Sequence, residues 1–159
     1  MGATPRTATL VAFRDDELAA WLPVSLAEYV EGRMGAGETR EVATRIATEQ
    51  RAQVFPGGVP APGHHLFSVV VDGERVGMVW LGPTADHDDV GRYLFNVEID
   101  ADKRGRGYGR AAMRAAEAWA VTQGATRLSL NVWGGNDVAR SLYDSLGYVV
   151  AATHMYRDL

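Results

Sequence analysis

The sequence predicts an α/β or α+β protein in which strands and helices follow one another in an irregular order. Two observations carry this prediction. Short apolar runs flank turn sequences such as Asp-Gly-Glu-Arg, as strands do in hairpins, and longer amphipathic runs end at glycine, as helices do. The predicted order is strand, two helices, three strands, then helix, strand, helix and strand. With 159 residues, the chain is expected to form a single domain, residues 1–159.

The first part of the chain is predicted to form one strand and an interrupted helix. Residues 7–13 are typical of a strand, and residues 14–34 are mostly helical in pattern. Pro23 should interrupt this helix because proline has no amide hydrogen to donate. Ser25 and Glu28 have the spacing of a capping box, which would start the helix again.

A second amphipathic helix and a hairpin are predicted next. The helix spans residues 37–55, and the residues expected on its apolar face are Val42, Ile46 and Val54. After a loop rich in proline and glycine at residues 56–65, strands at residues 66–71 and 76–81 flank a turn. Another loop then leads to a strand at residues 93–100.

The C-terminal part is predicted to alternate helices with strands. Gly124 and Gly147 suit the position just after a helix, where a left-handed backbone is common. The predicted elements are a helix at about residues 107–123, a strand at 128–132, a helix at 136–146 and a strand at 148–154. This pattern predicts a mixed sheet covered by helices.

Glycines and positive charges are concentrated where the strand at residues 93–100 leads into the next helix. The segment contains Gly105, Gly107 and Gly109 among Lys103, Arg104, Arg106 and Arg110. The first amide groups of a helix have no partner inside it, and the helix dipole adds partial positive charge there. Glycine lets the backbone approach a phosphate because no Cβ stands in the way. The segment therefore predicts a phosphate-binding helix start.

The composition limits the classes of partner. The chain has 16 Lys and Arg against 20 Asp and Glu, and its net charge of −4 argues against general nucleic-acid binding. It has no cysteine, which excludes thiolate ligands and fits a cytoplasmic location. No apolar run is long enough to cross a membrane, and the N-terminus lacks the apolar segment of a signal peptide. A soluble cytoplasmic protein is expected.

No metal site is predicted. His64 and His65 are adjacent in an extended segment, so their side chains should point to opposite sides. The acidic loop at residues 85–89 contains His87 but lacks the spacing of a calcium loop. The four tryptophans are expected to pack in the core or in a cleft, and they are Trp21, Trp80, Trp119 and Trp133. Trp133, which directly follows the predicted strand at residues 128–132, is the one expected beside a cleft.

The spacing of the glycine-rich segment excludes two common phosphate-binding motifs. No G-x-x-x-x-G-K-[ST] string occurs, and Arg110 stands where the dinucleotide fingerprint needs its third glycine. The pattern that fits is R-x-x-G-x-G, formed by Arg104, Gly107 and Gly109. Together with N-x-x-A-x-x-L-Y-x-x-x-G-Y, from Asn136 to Tyr148, it resembles the signature of the GNAT superfamily of N-acetyltransferases.

The resemblance implies a GNAT fold, with a mixed, mostly antiparallel twisted sheet that is splayed between its fourth and fifth strands and flanked by four helices. It also implies acetyl-CoA as the cosubstrate in that gap. Val97, Glu98 and Ile99 would pair with the pantetheine amides through the backbone, and an N–H near Val97 would polarise the thioester carbonyl. The residues implied to hold the pyrophosphate are Arg104, Gly105, Arg106, Gly107, Tyr108, Gly109 and Arg110.

Two residues of the second motif are implied to act at the same gap. Asn136 matches an asparagine that contacts the cofactor, and it also suits a helix N-cap. Tyr143 matches a tyrosine that protonates the departing thiolate. A phenol, whose ordinary pKa is about 10, keeps its proton at neutral pH and can donate it. Without the motif, Tyr143 would be interpreted as a packing residue.

The general base is where the sequence departs from the family pattern. Family members often carry a glutamate at one of two strand positions, which here hold Asn131 and Tyr93. Glu98 is the nearest remaining carboxylate on the splayed strand and is the catalytic candidate. Glu28 and Glu31 are alternatives if the first helical segment lines the acceptor site. A solvent-facing role for Glu98, a water chain, or an acceptor that arrives deprotonated also stays open.

The resemblance implies an N-acetyltransferase in which an amine attacks acetyl-CoA directly in a ternary complex. The absence of cysteine excludes a cysteine-bound acetyl group. The acceptor is the amine of a small molecule or a peptide, and acids at residues 28–37 and 84–90 favour a cationic one. The alternative function is a non-catalytic acyl-CoA-binding module. A homodimer is left open, and no metal, nucleic acid or membrane partner is expected.

Overall fold

A computed structural model of the protein describes residues 6–85 and 90–159. Within them, five strands form one sheet, and these are β1 (Thr9–Ala12), β2 (His65–Val71), β3 (Glu74–Gly82), β4 (Gly91–Ile99) and β5 (Arg127–Leu130). The strands lie side by side in chain order. Each neighbouring pair is antiparallel except β4 and β5, which are parallel. The predicted mixed, mostly antiparallel sheet is therefore confirmed.

The described residues also form four α-helices, which cover both faces of the sheet. They are α1 (Asp15–Gly35), α2 (Arg40–Val54), α3 (Tyr108–Thr122) and α4 (Asp137–Ser145). Consecutive residues of β3 point to opposite faces. Met78 shares an apolar cluster with Leu18 of α1, whereas Val79 shares one with Met113 of α3. The sheet is thus the middle layer, with α1 and α2 on one face and α3 and α4 on the other.

Helix α1 runs through Pro23 without a break, which corrects the predicted interruption. Proline removes one hydrogen bond from a helix interior, but packing holds the helix on both sides, through Leu18 and Val30. Ser25 does not cap a second helix. It is buried, and its hydroxyl donates to the Leu22 carbonyl at 3.4 Å, in the turn next to the proline. Tertiary packing therefore outweighs the local signal.

Helix α2 buries a different face from the predicted one. Its buried residues are Ala43 and Ala47, which form a cluster with residues of α1. Val42 is exposed and Ile46 is half-buried, while Val54 packs at the edge of another cluster. Small alanine side chains let the backbones of the two helices approach closely, because the distance between packed helices depends on the side chains at the contact.

The predicted last strand at residues 148–154 does not form. This segment is irregular, and Val149 and Val150 are 88% and 63% exposed. Aromatic and β-branched residues favour a strand locally, but a strand also needs a partner for its backbone hydrogen bonds. None of the described strands pairs with this segment, and β5 remains an edge strand.

The other predicted helices and strands are confirmed, with their ends shifted by a few residues. Gly124 and Gly147 have φ angles of 77° and 90°, which confirms that each ends a helix in a left-handed conformation. Within residues 6–85 and 90–159, none of the helices combines the length and apolar character that a membrane span requires.

Candidate active site

Strands β4 and β5 separate after a short parallel ladder. The ladder ends where Leu94 pairs with Leu130, and from Phe95 to Ile99 β4 keeps its pairing with β3 on one side and has an open edge on the other. In the part of the chain that the structure describes, no other strand pairs with this edge of β4. Its outward amide and carbonyl groups are therefore available to a ligand that can extend the sheet. This gap confirms the predicted splay.

A β-bulge lies at the start of the open edge. Trp80 of β3 pairs with Asn96, and the next residue, Leu81, pairs with Leu94, so Phe95 has no residue opposite it. A bulge bends its strand and increases the local twist. The bend gives a local reason for the separation of β4 from β5.

The start of α3 differs from the starts of the other helices. At α1, α2 and α4, a side chain accepts a hydrogen bond from a backbone N–H, and these side chains belong to Glu17, Thr39 and Asn136. Helix α3 begins after Gly107, which has no side chain to act as a cap, and its first turn contains no acid. Its first amide groups are consequently left for a ligand.

Two glycines shape the turn into α3. Gly105 and Gly107 have φ angles of 74° and 81°, in the left-handed region that favours glycine. A Cβ on either residue would meet no atom within 4 Å, so the space in front of them is open. Gly109 differs, because a Cβ there would approach Leu142 Cδ2 to 3.2 Å. Gly109 therefore also serves the packing of α3 against α4.

Two arginines of this loop, Arg104 and Arg110, are held by neutral groups rather than by acids. Arg104 Nε donates to the Ile99 carbonyl at 2.9 Å, which ties the loop to the end of β4. Arg110 Nη2 donates to Ser145 Oγ at 2.7 Å. Of the loop's basic residues, only Lys103 forms ion pairs within residues 6–85 and 90–159. The charges of the arginines thus remain available to an anion.

Tyr108, the first residue of α3, contributes no side chain to the loop surface. Its ring is buried in the main core. The Arg6 guanidinium lies 5.0 Å from the centre of that ring, and its Nε donates to the Arg106 carbonyl at 3.2 Å. Only the backbone of Tyr108 is therefore available to a ligand.

Strand β4 presents Val97 and Glu98 to opposite faces of the sheet. Val97 pairs with Val79 and packs against the main core. Glu98 pairs with Met78 and therefore faces α1 and α2. The two strands lie very close here, since a Cβ on Gly77 would be 2.1 Å from the Glu98 carbonyl oxygen.

The carboxyl of Glu98 is partly buried next to other charged groups. Burial raises the pKa of its carboxyl above the ordinary value, and the negative charge of Glu28 raises it further, while Arg104 opposes the shift. A carboxyl with a pKa moved toward neutral is a better proton acceptor than an exposed one. Glu31, by contrast, is exposed and pairs with Arg40 at 2.9 Å, which makes it a weaker candidate.

Tyr143 and Asn136 both lie on or next to α4. Tyr143 is 9% exposed, and its ring lies 5.7 Å from that of Tyr148. Burial raises the pKa of the Tyr143 hydroxyl, so it stays protonated through neutral pH. Asn136 is the N-cap of α4, because its Oδ1 accepts a hydrogen bond from the Ala139 amide at 3.2 Å. This bond leaves the Asn136 amide nitrogen available.

A cleft of about 350 Å³ opens between the end of α1 and the segment after β5. Trp133 forms one wall; it is 42% exposed, and its ring lies 6.0 Å from that of Tyr29. Gly32 makes room for it, since a Cβ there would lie 2.7 Å from Trp133 Nε1. The other lining residues are Gly35, Ala36, Gly134, His154 and Tyr156. The cleft thus includes part of the predicted acceptor segment at residues 28–37.

The two adjacent histidines point to opposite faces, as predicted. His64 Nδ1 accepts a hydrogen bond from Trp80 Nε1 at 3.1 Å, whereas the His65 ring lies 4.9 Å from that of Trp119. Among the residues that the structure describes, no group of three acidic or histidine side chains could hold a metal ion. The predicted solvated loop at residues 85–89, with His87, lies largely outside the described residues.

Arg51 of α2 carries a positive charge that is surrounded by aromatic rings, and the sequence analysis did not predict this arrangement. The Arg51 guanidinium lies 5.3 Å from the ring centre of Trp21, 5.0 Å from that of Phe55 and 6.0 Å from that of Trp80. The bulged residue Phe95 stacks on Trp80 at 4.6 Å, which connects this group to the gap. No local signal indicates the arrangement, because its members come from separate segments of the chain.

Comparison with known proteins gives a consistent result. The chain matches the family model "Acetyltransferase (GNAT) family" over residues 36–148. It is similar to the uncharacterized N-acetyltransferase YycN of Bacillus subtilis, with 27% identity over 144 residues, 89% of this chain and 92% of that protein. The uncharacterized N-acetyltransferase YdgE of the same organism is 26% identical over 153 residues, 95% of this chain and 98% of that protein.

Solved structures agree with the sequence relatives. The crystal structure of YycN has a TM-score of 0.87 at 25% identity, over 96% of this chain and 99% of that chain. A structure of the aminoglycoside N-acetyltransferase AAC(6')-Iy in complex with CoA has a TM-score of 0.58 at 13% identity, over 99% of both chains. The second similarity concerns the fold alone.

Proposed function

Because this chain belongs to the GNAT family of acetyltransferases, we propose that it transfers an acetyl group from acetyl-CoA to the amine of an acceptor. The observation that best supports this proposal is an open edge on β4 next to an uncapped start of α3. The strand edge offers amide and carbonyl groups to a pantetheine arm, and the helix start offers N–H groups to phosphates. Their adjacency suits a ligand that carries amides at one end and a diphosphate at the other.

Each proposed binding residue has a separate task. The backbone of residues 97–99 pairs with the pantetheine arm, and an N–H near Val97 polarises the thioester carbonyl. Amides of residues 105–110 hold the diphosphate, and the side chains of Arg104 and Arg106 add charge-assisted hydrogen bonds. Asn136 contributes the amide nitrogen that its capping bond leaves available.

The proposed reaction is a direct attack of the amine on the thioester carbonyl. The arriving ammonium first gives one proton to Glu98, and the free amine then attacks. A carbon–nitrogen bond forms, the carbon–sulfur bond breaks, and the second proton that the nitrogen loses replaces the one that Tyr143 gives away. Tyr143 donates a proton to the departing thiolate, for which its raised pKa keeps it protonated. The acceptor and acetyl-CoA are proposed to be bound together during the transfer, and the absence of cysteine excludes a cysteine-bound acetyl group.

The acceptor is proposed to approach from the face of β4 that meets α1. Negative charge on Glu98 and Glu28 and the exposed face of Trp133 favour an amine that arrives protonated. We take the acceptor to be a small-molecule amine or a peptide amine, with the cleft beside Trp133 as its route to the gap.

Replacing both Arg104 and Arg106 by alanine tests the cofactor assignment. The loss of two charged donors should raise the KM for acetyl-CoA by about tenfold or more, measured by thiol release with a panel of amines. Arg114→Ala is the matched control, because Arg114 is an exposed arginine further along α3. An unchanged KM in the double variant would contradict the phosphate assignment. Binding of CoA by calorimetry without thiol release for any amine would instead favour the non-catalytic acyl-CoA-binding module.

A further inference from the structure

The Arg51 cluster, formed by Arg51, Trp21, Ser25, Phe55 and Trp80, encloses a positive charge that lacks a counter-charge. Arg51 is half-buried, and burial lowers the pKa of its guanidinium. Its Nη2 donates to Ser25 Oγ at 2.7 Å, and within residues 6–85 and 90–159 it forms no ion pair. Charges that leave water are normally paired. The guanidinium therefore has charge available for an anion.

Two N–H groups of the cluster are buried and have no acceptor among the described residues. They are Nη1 of Arg51 and Nε1 of Trp21. Leaving such donors unsatisfied is costly. The guanidinium carbon lies 5.3 Å from the centre of the Trp21 ring, so both donors belong to one small region. A water molecule would satisfy hydrogen bonds only, whereas an anion would satisfy the hydrogen bonds and the charge.

The cluster lies close to the proposed position of the acceptor amine. Ser25, which is bonded to Arg51, precedes Glu28 by one turn of α1, or about 5 Å along the helix axis. Glu28 in turn is near enough to Glu98 for its charge to act on that carboxyl. Arg51 is thus linked through Ser25 and Glu28 of α1 to the carboxyl at which the amine is proposed to lie.

We propose that Arg51 binds a carboxylate of the acceptor, so that the acceptor carries both an amine and a carboxylate, as an amino acid or a short peptide does. A guanidinium can donate two parallel hydrogen bonds to one carboxylate, and Arg51 has donors available for this. The rings of Trp21, Phe55 and Trp80 exclude water, which strengthens such a pair. This inference rests on the proposed function, because it takes the amine to lie at Glu98.

Sodium formate probes the cluster without any acetyl transfer. The melting temperature should rise more with formate than with chloride at the same ionic strength, and Arg51→Met should abolish this difference. Arg51→Lys keeps the positive charge but cannot donate two parallel hydrogen bonds, so it should retain part of the difference between formate and chloride. Arg45→Met is the matched control, because Arg45 lies on the same helix, is 60% exposed and pairs with Glu49. An equal formate response in the native protein and in Arg51→Met would overturn the inference and indicate water at these N–H groups.

Matched acceptors test the same site during turnover. L-Lysine and cadaverine differ only in the carboxylate, as do 6-aminohexanoate and pentylamine. The ratio of kcat/KM for the carboxylate-bearing acceptor to that for its partner should fall by about tenfold or more in Arg51→Met. An unchanged ratio would overturn the inference and leave the proposed function standing. If no amine is acetylated, the proposed function fails instead, and the formate response decides the inference alone.

Discussion

The two sides of β4 offer a ligand different kinds of groups. On the edge that faces the gap, these are backbone groups, in the strand after Leu94 and at the start of α3. On the face that meets α1, they are side chains, namely Glu98 with Glu28 and the Arg51 cluster. Backbone groups are present whatever the side chains are, so they suit a ligand shared by a whole family. Side chains change with each sequence, so they suit a ligand that differs between members.

This difference has a measurable consequence. Variants on the edge and around the gap should impair transfer to every acceptor to the same extent. Variants on the face should have effects that depend on which acceptor is supplied.

Tyr143→Phe is expected to have the largest effect, and an equal one for all acceptors. Removing the hydroxyl removes the proposed proton donor, so kcat should fall by about a hundredfold or more while the Kd for CoA stays close to the native value. Stopped-flow thiol release and calorimetry measure the two quantities. Tyr148→Phe is the control, since it makes the same change on the neighbouring ring. Native activity in Tyr143→Phe would refute the proposed acid.

Gly107→Asp is expected to have the next largest effect. An aspartate there would place negative charge at the helix start that now has neither a cap nor an acid, and the Kd for CoA should rise by about tenfold or more. Gly107→Asn is the matched control, because it imposes the same backbone strain at φ 81° without the charge. If calorimetry gives both variants the same Kd, negative charge at this position does not affect CoA binding. The proposal that the start of α3 binds the diphosphate would then be refuted.

A shift of the pH–rate profile is the smallest expected effect, and it is specific to the carboxyl groups on the face of β4 that meets α1. If Glu98 is the base, kcat/KM rises as pH increases through its raised pKa, because the deprotonated form is active. Glu28 contributes to that rise in pKa, so Glu28→Gln should move the acidic limb of the pH profile to lower pH. Glu31→Gln is the control. The carboxylate of Glu31 pairs with Arg40, so its removal should leave the acidic limb in place. Glu98→Gln should lower the rate at neutral pH, and a native profile in that variant would exclude the assignment.

Predictions from the sequence succeeded where a signal was contained in consecutive residues. Gly124 and Gly147 end helices as expected, because a left-handed residue after a helix depends on that residue itself. The interruption at Pro23 was wrong, because packing of α1 on both sides of the proline compensates for a lost hydrogen bond. The last strand at residues 148–154 was wrong for a related reason, since its strand propensity is local but its pairing is not.

The sequence by itself determined the edge of this site, because the glycines at 105 and 107, the arginines beside them and the amides of one helix start are neighbours in the chain. Only the tertiary structure decided the face. Arg51 meets Trp21 and Trp80 because α1, α2 and β3 pack together, although these residues are far apart in sequence. Contacts of this kind follow from how separate elements fit around a common core, and no spacing within one segment encodes them.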